Sequence, residues 1–188
     1  MAREILSAEQ AFEAYGKGNF RAAFPALTAL ADQGNVEALV PLAWMNETGA
    51  VGEADLSLAR RLYQRAADAG SCDALYRLGR ILKKSRNLPA VRAVFERGAL
   101  QDHLPCISAL GILLVETAEN PDQAEQGMRW LTVAADRGHI FARRLMLLIK
   151  ARNETSIRKV LGILAKIFWL KLEYVIERRK DAYSLKIL

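Results

Sequence analysis

Asp55-Leu56-Ser57-Leu58-Ala59-Arg60-Arg61-Leu62-Tyr63-Gln64-Arg65-Ala66-Ala67-Asp68-Ala69-Gly70 is the stretch that decides the fold. Ala59, Leu62, Tyr63, Ala66 and Ala67 fall at i, i+3, i+4, i+7 and i+8, the single apolar stripe of an amphipathic helix. The charged residues between them lie on the opposite face. Gly70 follows the last apolar position, where a helix ends in a left-handed residue without steric cost. Three of the five stripe residues are alanine, so a neighbouring helix can come close along this line while Leu62 and Tyr63 fill the remaining volume.

The same pattern recurs. Ala31, Ala67, Ala99 and Ala135 are spaced by 36, 32 and 36 residues, and Ala38, Ala74, Cys106 and Ala142 keep the same steps, as do Leu42, Leu78, Leu110 and Met146. Three registers with one period indicate a repeat protein, in which each helix pair hides its apolar face against the next. The pattern predicts helices near 8–17, 20–33, 36–49, 55–69, 72–85, 88–101, 104–118, 121–137 and 139–151, and a long one over about 156–180. Ser7-Ala8-Glu9-Gln10 has capping-box spacing, and Asn120-Pro121 is a helix start. Gly79 and Gly111 are expected on close helix contacts. Pro41 removes one backbone donor, so its helix either bends or starts late.

Ala38-x3-Leu42-Ala43, Gly49-Ala50-Val51 and Asp55-x3-Ala59-x2-Leu62-Tyr63-x2-Ala66-Ala67-x2-Gly70 together resemble a Sel-one-like repeat, a 36-residue relative of the tetratricopeptide repeat. The resemblance covers about 20–151. Asn46 stands where that family usually has tyrosine, the third unit is four residues short between Leu82 and Pro89, and the fourth replaces the inter-helix loop with Thr117-Ala118-Glu119-Asn120-Pro121. The resemblance implies an all-α solenoid of helix-turn-helix pairs wound as a right-handed superhelix. It also implies a non-catalytic adaptor that binds a protein on the concave wall formed by the first helix of each pair.

The residues themselves give no reaction chemistry. Cys72 and Cys106 are isolated and are expected as small buried residues in a reducing compartment. His103 and His139 share one repeat position and read as turn or cap residues. No metal, cofactor or nucleophile motif is present, so neither catalysis nor a cofactor is expected. On the concave side, Trp44, Glu47, Tyr76, Arg77, Arg80, Lys83 and Ile112 are the candidate partner-binding residues. The basic centre favours an acidic partner segment.

The 188 residues are 52% hydrophobic and 26% charged, ordinary for a folded domain. The net charge of +6 is uneven: residues 139–188 carry twelve Lys or Arg against four Asp or Glu, and the rest of the chain is slightly acidic. That distribution disfavours nucleic-acid binding along the whole length. The organisation expected is a repeat domain over 1–151 and a C-terminal amphipathic segment over 152–188.

In that segment Ile157, Val160, Leu161, Leu164, Phe168, Leu172 and Val175 make one stripe, and Ile163, Ile167, Leu170 and Tyr174 widen it beyond what capping a solenoid needs. Leu161, Leu164, Phe168, Trp169 and Leu172 are therefore candidates for self-association or membrane contact, with Thr155 or Ser156 capping the helix and Arg178-Arg179-Lys180 near its end. The interspersed lysines disfavour a membrane span. The N-terminus lacks the apolar run of a signal peptide, so the expected location is the cytoplasm, with the inner face of a membrane as a second site. The alternative functions are a peripheral membrane scaffold anchored by that helix and a nucleic-acid or ribonucleoprotein binder using the basic tail.

Overall fold

The computed structural model describes the backbone of residues 6–152 and 157–184, and the side chains of most of them, up to 175 in the last helix. The described residues are helical and form no strand. The elements are α1 (Ala8–Gly16), α2 (Phe20–Asp32), α3 (Leu39–Thr48), α4 (Leu56–Asp68), α5 (Cys72–Lys84), α6 (Leu88–Leu100), α7 (Leu104–Glu116), α8 (Pro121–Asp136), α9 (Ile140–Arg152) and α10 (Ile157–Ser184). Each predicted helix is present. The expected cap at Thr155 or Ser156 lies outside the described residues, as do the side chains of Ile157, Val160, Arg178, Arg179 and Lys180.

Two compact units divide the chain, Met1–Gln101 with α1–α6 and Asp102–Leu188 with α7–α10. Within each, consecutive helices pack as pairs: α1 with α2, α3 with α4, α5 with α6, α7 with α8, and α9 with α10. The repeat stripe is the core: Ala59, Tyr63, Ala66 and Ala67 of α4 are fully buried, as are Ala74, Leu75 and Leu78 of α5.

Local chemistry sets the ends. Ser7 and Gln10 close a reciprocal capping box at α1, and the Asn120 side chain accepts from the Gln123 backbone at 3.0 Å. Gly34, Gly70 and Gly138 take positive φ after α2, α4 and α8. In the third repeat the equivalent residue is Asp102, at φ 60, one of the few non-glycine types that tolerates the left-handed region. The shortened turn of that repeat is built around Arg86, at φ 56.

Three expectations change. α3 begins at Leu39 rather than 36, with Asn35 accepting from the Ala38 backbone at 3.1 Å. Pro41 thereby falls in the first turn, where its missing N–H has no partner to lose. Cys106 is buried, but Cys72, at the first position of α5, is half-buried, its thiol donating to the side chain of Gln101 at 2.9 Å. Finally, α10 runs to Ser184, beyond the expected 180.

Two contacts that the repeat pattern alone does not announce tie the stack together. Arg65 donates to the carbonyl of Ala31 at 3.2 Å. Arg97 donates to the carbonyl of Ala67 at 2.5 Å and to Asp68 at 3.2 Å. Each arginine reaches from the second helix of one pair to the end of the second helix of the pair before, where the last carbonyls lack helical partners. In the other unit Arg137 grips the carboxylate of Asp102 with both terminal nitrogens.

Candidate protein-binding surface

Trp44 and Glu47 project from α3 and Tyr76, Arg77, Arg80 and Lys83 from α5, all within the α1–α6 unit. On α5 the apolar stripe Ala74, Leu75, Leu78 and Ile81 is buried, which turns Arg80 and Lys83 outward and leaves Tyr76 and Arg77 half-buried at its two edges. Ile112 is half-buried on α7, in the other unit.

The structure divides the unit 1 candidates into two adjoining groups. In the first, Trp44 lies in an aromatic cluster, edge-on to Tyr15 of α1 at 5.8 Å and tilted against Phe20 of α2 at 5.1 Å. Tyr15 and Phe20 are themselves 5.6 Å apart. Trp44 remains half-buried, so one part of the indole is fixed and another is open. Glu47 accepts a hydrogen bond from the hydroxyl of buried Tyr63 at 2.9 Å. Burial raises the pKa of Tyr63, opposed by the nearby guanidinium of Arg77. The same pair of effects acts on Tyr15, again with burial the larger. Arg77 thus stands within electrostatic reach of Tyr63 and Tyr15, linking α5 to α1 and α4.

In the second group Tyr76 is tilted against Phe95 of α6 at 6.4 Å. The guanidinium carbon of Arg80 lies 6.0 Å from the centre of the Tyr76 ring, within cation–π range. Stacking of this kind orients the guanidinium while leaving its donors available for a carboxylate.

Tyr15, Phe20 and Tyr63 were not among the expected site residues. Tyr63 reads correctly as core, but its hydroxyl has a second role that no spacing reveals. Tyr15 and Phe20 belong to the first helix pair, outside the region where the repeat is clear.

In the α7–α10 unit, His139 accepts from the Ala142 backbone at 3.3 Å, a cap at the start of α9. Burial lowers its pKa. His103 is the N-cap residue of α7, its Nδ1 3.2 Å from the Cys106 thiol. An open cleft of about 620 Å³ is lined by α8, α9 and α10, including Met128, Met146, Trp169 and Leu170. A comparable groove of about 670 Å³ lies among α4, α5 and α6. The recurrence marks both as a product of helix stacking. Among the described residues no group of His, Cys, Asp and Glu could hold a metal ion, and no helix is long and apolar enough to cross a membrane.

The Sel1 repeat model matches residues 36–71 and 119–139. Two stretches of the chain are thus similar to the Sel1 repeat. The matched segments contain the α3–α4 pair, with Trp44, Glu47 and Tyr63, and all of α8. A Sel1 repeat protein from Oxalobacter formigenes is similar in structure, with a TM-score of 0.72 and 17% identity over 89% of this chain and 69% of that one. A protective antigen of uropathogenic Escherichia coli strains, displaying an SLR fold, gives a TM-score of 0.70 and 21% identity over 85% of this chain and 36% of that one. These likenesses establish the all-helical Sel1 solenoid fold. Chitin synthase regulatory factor 4 of Schizosaccharomyces pombe is 35% identical over 83 residues, 44% of this chain and 13% of that protein. The chain therefore matches only a small part of that relative. Sel1 repeats are generally protein–protein interaction scaffolds and typically non-catalytic.

Proposed function

We propose that this Sel1-repeat chain is a non-catalytic adaptor that holds an acidic segment of a partner protein against α3 and α5. The observation that carries this is the arrangement on those two helices. Trp44 is braced by Tyr15 and Phe20 yet half-open, and Arg80 is stacked over Tyr76 on an exposed face that also bears Lys83. Aromatic and arginine side chains held in place lose little entropy on binding and dominate interface energies. Orientation of the guanidinium suits two-point recognition of a carboxylate. A cytoplasmic setting fits Cys72 and Cys106, which form no disulfide with one another. The segment 152–188 serves as an assembly element beside the repeats, supported by the exposed apolar face of α10.

The test is affinity capture from cells of the source organism with the whole chain and with Trp44→Ala combined with Arg80→Glu. Neither substitution touches a fully buried side chain, and circular dichroism checks that the fold is kept. Loss of a true central contact costs about 2 kcal/mol, roughly thirtyfold in affinity. Unchanged recovery of every captured protein would remove this surface as the site.

A further inference from the structure

α10 has two apolar faces, and α9 covers one of them. At about 100° per residue, Ile163, Ile167, Leu170 and Tyr174 fall in one narrow sector. Ile163 and Leu170 are buried, Ile167 and Tyr174 half-buried. Leu161, Leu164, Phe168, Leu172 and Val175 fall in the opposite sector and are all exposed, Phe168 by 65% and Leu161 by 60%. The steps between these five are 3, 4, 4 and 3 residues. That order reads the same from either end, and Phe168 is its midpoint. The four steps total 14 residues, or about 3.5 per turn, and over this short length, at about 100° per residue, the five stay within a sector of about 80°.

A stripe with this symmetry is complementary to itself under a two-fold axis, the commonest way for identical chains to pair. We propose that a second copy of this chain covers the face, α10 packing antiparallel to α10 about a two-fold axis through Phe168. Leu161 then meets Val175 of the second copy, Leu164 meets Leu172, and Phe168 meets its own equivalent. Each copy supplies the same contacts in reverse order.

The area is of the right size. These five side chains and Trp169 at their edge leave on the order of 500–600 Å² of apolar surface open, at the upper limit for a monomer. A standard interface takes about 800 Å² from each partner, most of which this stripe provides. The charges favour a second copy over a lipid surface. A helix lying on anionic lipid keeps its cations beside the apolar face. Here Lys159, Lys166 and Glu173 lie about 140–180° around the helix from the centre of the exposed stripe, next to the sector that meets α9. Among the α10 residues whose side chains are described, Lys171 is the one cation that borders it. The inference rests on the reading of α10 as an assembly element and is independent of the surface on α3 and α5.

The test uses the full chain with Cys72→Ser as background, Cys106 being fully buried. Single cysteines are placed at the exposed positions 168 and 161, and a pair at 161 and 175, and each protein is oxidised with copper phenanthroline after its mass is measured by sedimentation. The expected result is a dimer in which Phe168→Cys links to itself and Leu161→Cys alone does not, its two copies lying about 21 Å apart along the axis. Leu161→Cys with Val175→Cys should restore the covalent dimer. Phe168→Asp should weaken association at least a hundredfold with helix content unchanged. A dimer linked by Leu161→Cys alone overturns the antiparallel arrangement but keeps α10 as an assembly element. A dimer that none of the cysteines links places the interface elsewhere. A monomer at high micromolar concentration overturns both, and flotation with anionic vesicles then assigns the face to lipid.

Discussion

Gly111→Ala and Gly162→Ala are the same chemical change in two helices, and they should move stability in opposite directions. A Cβ added at Gly111 would lie 2.9 Å from the backbone nitrogen of Leu131, 2.9 Å from its Cγ and 3.0 Å from the carbonyl oxygen of Gly127. Two of these three atoms are backbone, so relief requires α8 to move as a body. Gly127 meets α7 just as closely, with a Cβ there 2.8 Å from the nitrogen of Val115, and α8 cannot rotate to escape. Overpacking that displaces backbone costs about 3 kcal/mol, the upper end of its usual range. Replacing glycine by alanine inside a helix returns about 1 kcal/mol. The net loss is about 2 kcal/mol, which lowers Tm by about 4–8 °C in a chain of this size. At Gly162 a Cβ meets nothing within 4 Å, so the helix gain stands alone and Tm should rise. Thermal unfolding followed at 222 nm measures both. If Gly111→Ala matches wild type or gains stability as Gly162→Ala does, α7 and α8 do not pack at backbone distance and the account of the small residues is wrong.

Other expectations follow from single contacts. Gly79→Ala drives a methyl into the ring of Phe95, a side chain rather than backbone. Combining it with Phe95→Leu should therefore cost less than the two separate losses added, with a coupling of at least about 1 kcal/mol in a denaturant double-mutant cycle. His139 is held below its ordinary value of 6.5 by burial, and its Nδ1 accepts a hydrogen bond that a protonated nitrogen could not. The unfolded chain therefore binds the proton more readily, and stability falls as pH drops below 6.5, levelling off beneath the lowered pKa. His139→Asn keeps an acceptor at the cap and should lose less stability than wild type between about pH 7.5 and 5.5 in urea titrations. Equal pH dependence of the two proteins would contradict this. Tyr63→Phe removes the donor to Glu47 and should cost about 1 kcal/mol in the same titrations. No loss would show that solvent already satisfies that carboxylate.

The helices were legible because one period governs three sets of residues, and a period survives individual departures. Asp102 shows how: the repeat asks for a left-handed residue there, and aspartate supplies it where the other units have glycine. Pro41 gave warning of an altered first turn without saying which form it would take. The arginines that join successive pairs were less visible. Arg65 and Arg97 keep the 32-residue step, but Arg137 falls one helical turn late, so no register collects all three. The surroundings of Trp44 were hidden for a different reason. Tyr15 and Phe20 lie 29 and 24 residues away in the least repetitive pair, and contact between them is a tertiary fact. In α10 the sequence showed too many apolar residues for one face. The packing of Ile163 and Leu170 toward α9 separates the covered half from the open one.

The central claim is that the chain works by holding a protein segment on the surface of α3 and α5. A photoreactive amino acid in place of Arg80, compared with the same residue in place of Arg92 on the exposed side of α6, tests it most directly. Irradiation in the source cells followed by mass spectrometry should give a cross-linked product from position 80 that maps to an acidic stretch of another protein, with little or none from position 92. Equal labelling from both positions, or no product from position 80, would contradict the account.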